Sequence, residues 1–239
     1  MYGNDDTFVW WHPPVGAVVY GYVVASDSRG GRSDEPRNIE RIRQAALRSF
    51  AQSGTGATTM RGVAAAAGVS LGLVQHHFAT KAGLIAAVDE FVLELVVSSM
   101  ARPLPEPPVD SVAEIGGRVT AIMADYPDVA GYLSRALVDG SPVGVRLFDA
   151  LIGVGVARWQ QRMDRGEVRP DVDVTWAAIN GIVLALGAIS LRSHIDRHLP
   201  APLTQPVQLE RWQRAVDTLL RDGLFVPESE RPDGSAPTE

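Results

Sequence analysis

The chain has 239 residues, of which 46% are hydrophobic and 21% charged, with no cysteine and a net charge of −6. Such a length holds a sizeable core in one large domain or two small ones, and the balance is ordinary for a soluble globular protein. The lack of cysteine excludes disulfides, thiolate metal sites and cysteine nucleophiles, and fits a reducing, cytoplasmic setting.

Residues 1–33 form an extension that is expected to be poorly ordered. Asp5 and Asp6 stand where a signal peptide needs basic residues, and the apolar run from Val15 to Ala25 is too short to span a membrane. Val18 to Val24 reads as a possible short strand. Trp10, Trp11 and His12 precede Pro13-Pro14, and Ser26 to Asp34 reads as a Gly/Arg/Ser linker.

The first helix is predicted from Asp34-Glu35-Pro36, with acids in its first turn and proline near its start. Ile39, Ile42, Ala46, Leu47 and Phe50 recur at helical spacing, and Ser53-Gly54-Thr55-Gly56 ends the helix after about Gln52. The stretch Thr58 to Leu84 then reads as two short helices joined by a glycine turn, with a third starting close behind. Thr59 and Ser70 are placed to cap helix N-termini, and Gly68 suits the left-handed residue that closes a helix. Val63, Ala64 and Ala67 face inward on the first short helix, and Val74 and Phe78 on the second. Leu71, Gly72, Leu73, Gln75, His76 and His77 are left around the outward surfaces of the second helix. A short helix presented outward from such a turn has the shape that enters a DNA major groove.

This run resembles the helix-turn-helix of the tetracycline-repressor (TetR) family of bacterial regulators, approximately T-x-x-x-I-A-x-x-A-G-V-S-x-G-x-L-Y-x-H-F-x-x-K-x-x-L. Thr59, Val63, Ala64, Ala67, Gly68, Val69, Ser70, Gly72, His77, Phe78, Lys81 and Leu84 fall on it in register, and Val74 replaces a leucine. Gln75 departs from a tyrosine that touches phosphate, and Leu71 and Leu73 stand where polar residues are common. The charge distribution agrees with a DNA-binding head: residues 37–88 carry net +5 and the remainder −11, and Lys81 is the only lysine in the chain. The resemblance assigns residues 34–80 to an N-terminal three-helix DNA-binding domain. Residues 81–225 become a C-terminal helical ligand-binding and dimerisation domain, and 226–239 a disordered tail.

Beyond Lys81, Ala82 to Met100 reads as a long helix, and Arg102 to Asp110, with four prolines, as a linker. Three helices follow over Ser111 to Tyr126, Pro127 to Asp139 and Pro142 to Arg165. The connection Gly166-Glu167-Val168-Arg169-Pro170-Asp171-Val172-Asp173 resembles one found in many family members. Val174 to His198 is expected as one helix and Val207 to Gly223 as the last. His194 and His198, four apart, have a metal-binding spacing but no third ligand beside them, so a surface reading is preferred. No catalytic set, phosphate loop or cofactor motif is visible, and neither enzyme, cofactor nor metal is expected.

The expected function is that of a ligand-responsive DNA-binding regulator, most often a repressor, dimeric on a near-palindromic operator and released by a small apolar or aromatic effector. Thr59, His77 and Lys81 are assigned to phosphate. Arg61 and Gln75 are assigned to base edges, and Leu71 to a thymine methyl, with Ser70, Gly72 and His76 completing the surface. Gln75 has phosphate as its alternative. Phe91, Leu95, Tyr126, Phe148, Trp159 and Trp176 are the candidate pocket lining. Gly181, Ala185, Gly187 and Ala188, with Trp212 and Leu219, are the candidate dimer contacts or, alternatively, the protomer's own core. The other reading is an all-α small-molecule binding protein with weak or lost operator recognition.

Overall fold

The computed structural model describes residues 35–104 and 111–226; the expectations for residues 1–33, for 105–110 of the proline-rich linker and for the tail beyond 226 lie outside them. In chain order the helices are α1 (Glu35–Ala57), α2 (Met60–Ala67), α3 (Leu71–Phe78), α4 (Lys81–Ala101), α5 (Ser111–Asp125), α6 (Pro127–Val138) and α7 (Pro142–Asp164). Then come α8 (Val174–Ser190), α9 (Arg192–Ile195), a 3-10 turn (Asp196–His198) and α10 (Pro206–Leu224). Among the described residues the only strand-like pairing is one antiparallel bridge between Val168 and Phe225. The fold is all-α, as the sequence predicts, and no single described helix is long and apolar enough to cross a membrane.

Local chemistry accounts for most helix ends. Pro127, Pro142 and Pro206 occupy first-turn positions, where the missing N–H costs nothing. The Asp173 carboxylate accepts from Thr175 N at 2.9 Å and Trp176 N at 3.1 Å, capping α8. The Gly166–Asp173 connection is tied to the end of α10: Arg169 N donates to Leu224 O, and Val226 N donates to Glu167 O.

Two elements differ from expectation. In α1 the helix is interrupted where the sequence ends it: Gly54 takes φ 80°, ψ 160°, a conformation only glycine adopts easily. A final turn then carries the helix to Ala57, and Thr58 Oγ1 donates to Gly54 O at 2.9 Å. The expected single helix over 174–198 breaks at Leu191, and its two parts are bent by 66°. Downstream, Asp196 accepts from Leu203 N at 2.7 Å, and Leu203 is buried beside Met123, Ala188 and Leu209. Anchoring Leu203 in that cluster requires the chain to turn back before a continuous helix could reach His198. His194 and His198 therefore lie on separate elements, both exposed.

One hydrophobic cluster joins the N-terminal helices to the rest. Ile42, Leu47 and Phe50 of α1, Val63 and Ala64 of α2, and Val74 of α3 meet Leu84, Val88 and Val92 of α4. The cluster continues through α6 into Leu147 of α7. Burial of this apolar surface holds the three-helix head on α4 at about 25 cal/mol per Å². Ile39, expected in the α1 core face, is half-buried instead.

Candidate nucleic-acid interface and cavity

The helix-turn-helix is built by three side-chain caps. Thr59 Oγ1 accepts from Gly62 N, Ser70 Oγ from Leu73 N, and Thr80 Oγ1 from Gly83 N, at 3.0, 3.1 and 3.0 Å. Gly68 closes α2 at φ 64°, the left-handed conformation expected of it. Arg41 of α1 then reaches across and donates to Ala67 O at 2.7 Å, satisfying a carbonyl at the C-terminus of α2. The turn is thus fixed by hydrogen bonds at its rim and by Val63, Ala64, Ala67 and Val74 beneath.

On this frame Thr59, Arg61, Ser70, Leu71, Gly72, Gln75 and His76 are exposed. Leu71, Gly72, Gln75 and His76 form the outward face of α3, and Arg61 stands in the first turn of α2. Two residues expected to point outward do not. Leu73 packs partly buried against the core that α3 shares with α2 and α4. His77 is half-buried, and its Nε2 is enclosed with no hydrogen-bond partner. The His76 and His77 rings meet edge-on at 5.1 Å. Lys81, assigned to phosphate, donates to Gly56 O at 3.1 Å across the end of α1, and two of its three N–H donors remain for another partner.

The basic block is not spent uniformly on the outward surface. Arg43 bonds Glu40 and lies 4.1 Å over the Phe91 ring, and Arg48 stands 3.5 Å from Asp128 of α6. These two cations hold head to body, so the +5 read from sequence overstates the charge that can face an anionic partner.

Below the head, Val96 and Met100 of α4, with residues of α5, α6, α7, α8 and α10, enclose a cavity of about 210 Å³. Its walls are almost wholly apolar; Arg158, Arg162, Gln213 and Asp217 are the charged and amide side chains among them. Burial pushes the Arg158 and Arg162 guanidinium pKa values down; Arg118 and Arg162 add to the effect at Arg158, whereas at Arg162 Glu167 opposes it and Arg165 adds to it. Arg162 stacks 4.9 Å over Trp159, which itself meets Phe225. Burial raises the Asp217 carboxyl above its ordinary range, partly offset by a hydrogen bond with Gln213.

Of the six residues expected to line a pocket, Trp159 lines this one. Phe91, Leu95 and Tyr126 pack against the head-to-body core, because α4 turns its Phe91 side toward the head and its Val96 and Met100 side toward the cavity. Phe148 is half-buried on another face of α7, and Trp176 is 59% exposed. The polar cavity residues were missed by sequence reading. Their signal was present: Gly155, Arg158, Trp159 and Arg162 share one helical stripe, which places two arginines on an otherwise apolar face.

The candidate dimer contacts divide. Gly181, Ala185 and Trp212 line the protomer's cavity and Ala188 is buried in its core, whereas Leu219 is 63% exposed. A Cβ on Gly187 would meet nothing within 4 Å.

A capped turn carrying an exposed short helix, set on an all-α body with an apolar cavity, defines the class of helix-turn-helix regulators with a separate helical body. Residues 42–88 match the bacterial regulatory proteins of the tetR family. The helix-turn-helix of this chain is thus similar to the DNA-binding region of that family. It is 34% identical over 134 residues to the HTH-type transcriptional regulatory protein RaaS of Mycobacterium tuberculosis, a match covering 56% of this chain and 60% of that relative. The chain thus spans about three fifths of the length of the curated relatives it matches. Among solved structures it resembles a gamma-butyrolactone receptor with a TM-score of 0.65 at 21% identity, covering 82% of this chain and 92% of the other. It also resembles SmeT, the repressor of a Stenotrophomonas maltophilia multidrug efflux pump, with a TM-score of 0.62 at 19% identity, covering 86% and 98%. At those identities the likeness concerns the fold.

Proposed function

We propose that this protein is a ligand-responsive transcriptional repressor that binds a near-palindromic operator as a dimer and leaves it when the body cavity is filled. The observation that carries the reading is the outward face of α3 together with Arg61. Leu71, Gln75 and His76 of α3 and Arg61 of α2 are all exposed, on a scaffold whose turn is capped at each rim. Arg61 reads a guanine edge and Gln75 an adenine edge, while Thr59 and Lys81 lie against phosphates. The cavity adjoins α4, the helix that carries the head, so a ligand favouring one setting of α4 shifts the population of DNA-competent molecules. The fold neighbours, a receptor for a small lactone and an efflux-pump repressor, are in keeping with an effector in the body.

The test is binding of the full chain to the DNA flanking its own gene, titrated over salt. Saturable, sequence-dependent binding with a steep salt slope is expected. Arg61→Ala should remove about 1–3 kcal/mol of discrimination at one base pair and leave the fold intact. Weak binding that is equal on all DNA would favour the other reading, a small-molecule binding protein without operator recognition. The substitution at Gln75 and the apolar Leu71 favour that second reading.

A further inference from the structure

The last carbonyls of an α-helix have no partner within it and carry its negative dipole end. At the C-terminus of α4 two arginines from other helices supply the missing donors. Arg118 of α5, which is buried and paired with Glu114, donates to Ser99 O at 3.3 Å, Arg102 O at 2.8 Å and Pro103 O at 2.9 Å. Arg158 of α7 donates to Met100 O and to Arg102 O, the latter at 2.9 Å. Arg118 is thus fully engaged with its own carboxylate, but Arg158 is not. Both of its bonds come from Nη2, one nitrogen of a fork with five N–H donors. Among the described residues no carboxylate pairs with it, and its charged neighbours are Arg118 and Arg162. Arg158 also lines the cavity.

We infer that the effector is an amphipathic organic acid whose apolar chain fills the cavity and whose carboxylate takes the Arg158 guanidinium from the carbonyls at the end of α4. This rests on the cavity being the effector site of the proposed regulator. A planar guanidinium matches a carboxylate in bidentate fashion, and such a charge-assisted pair is stronger than its bonds to neutral carbonyls. The cavity's one carboxyl does not point to a cationic ligand instead. Asp217 stands on α10, a different wall, and is hydrogen-bonded with Gln213; burial raises its pKa, which disfavours its anionic form there. A guanidinium keeps its charge, so Arg158 is the group whose charge awaits a partner. Removing Arg158 from the carbonyls leaves Met100 O without its donor, while Arg102 O keeps Arg118, and so loosens the last turn of the helix that carries the DNA-binding head. That links the acid group, rather than apolar bulk alone, to release.

The probes are decanoate, decan-1-ol and decylammonium, three ligands with one chain, each kept below its micelle concentration and titrated calorimetrically into the full chain. Decanoate should bind about tenfold or more tighter than the other two, as one added charge-assisted pair implies. In Arg158→Met the preference over decan-1-ol should vanish while decan-1-ol binds as before, and Arg158→Lys should keep part of it. Amide exchange over residues 98–102 should quicken with decanoate and not with decan-1-ol. Equal binding of the three probes, tighter binding of decylammonium, no binding of any, or a preference that survives Arg158→Met would overturn the inference. Unchanged exchange at the end of α4 would overturn its regulatory half. The parent reading fails separately: a decanoate preference in a protein that binds no DNA specifically keeps the ligand class and removes the regulator.

Discussion

Asp217 shows how a single cavity residue leaves a mark on stability. Its carboxyl is raised above the ordinary value of 3.8, first by burial, with Gln213 opposing. For an acid this means that the folded state binds the proton more tightly than the unfolded state does. The favourable contribution is fully present below the unfolded pKa and is lost as pH rises through the folded one. Asp217→Asn, which stays neutral throughout, should therefore be more stable than the wild type at neutral pH. The gap should close as pH falls toward and below 3.8. Urea unfolding at a series of pH values reads this directly, and a gap that widened on acidification would show Asp217 to be stabilised as an anion. Asp89 on α4 shares the direction: burial raises its carboxyl even though Tyr132 OH donates to it at 2.5 Å. Neither effect is legible in the sequence, because the pKa of a carboxyl depends on which helices cover it. The capping hydroxyls of Thr59 and Ser70 were legible, since a cap acts within three residues of its own backbone.

Among elements, those whose ends are set locally were predicted within a residue or two. Proline at the first turn fixed the starts of α6, α7 and α10, and Asp173 fixed that of α8. Asp173 makes two cap bonds at an exposed position, so Asp173→Ala should cost about 0.5–2 kcal/mol with little repacking. Denaturant unfolding with an unchanged slope would confirm a purely local loss; no measurable loss would mean that the packing of Val168 and Phe225 alone holds the connection. What sequence did not disclose is set by distant contacts. The break at Leu191 depends on Leu203 reaching a pocket beside Met123 and Leu209. The inward turn of Leu73 depends on how α3 packs with α2 and α4, and Arg48 and Arg43 are drawn to Asp128 and Phe91 rather than left facing outward. The cavity lining failed for the same reason: aromatic size marks burial, but which wall of α4 or α7 faces the void is decided by the packing of five other helices.

At the scale of the molecule, α8 and α10 present apolar side chains that the protomer does not cover. Trp176 and Val183, seven residues apart on α8, are 59% and 54% exposed, and Leu219 on α10 is 63% exposed. Spacing of seven puts Trp176 and Val183 on one stripe, with Asn180 and Gly187 between and beyond them. The open space over Gly187 leaves room for another helix to approach this face closely. Large exposed apolar groups at helical spacing mark an interaction surface rather than a solvated one. A symmetric pair needs a self-complementary face, and the prediction is that α8 and α10 of two copies meet there. A dimer would also set the distance between two α3 helices, as required to read half-sites about 34–36 Å apart on one side of the duplex. Leu219→Glu places a charge on this face without disturbing the protomer's core. The wild type should sediment as a dimer and the variant as a monomer at the same concentration. Its unfolding midpoint, extrapolated to low protein concentration, should match that of the wild type to within about 0.5 kcal/mol. Its affinity for a two-half-site operator should fall toward that for a single half-site, since the second head no longer arrives with the first. A variant that remains dimeric would move the interface away from α10, and a monomeric wild type that still binds a palindrome tightly would remove it altogether.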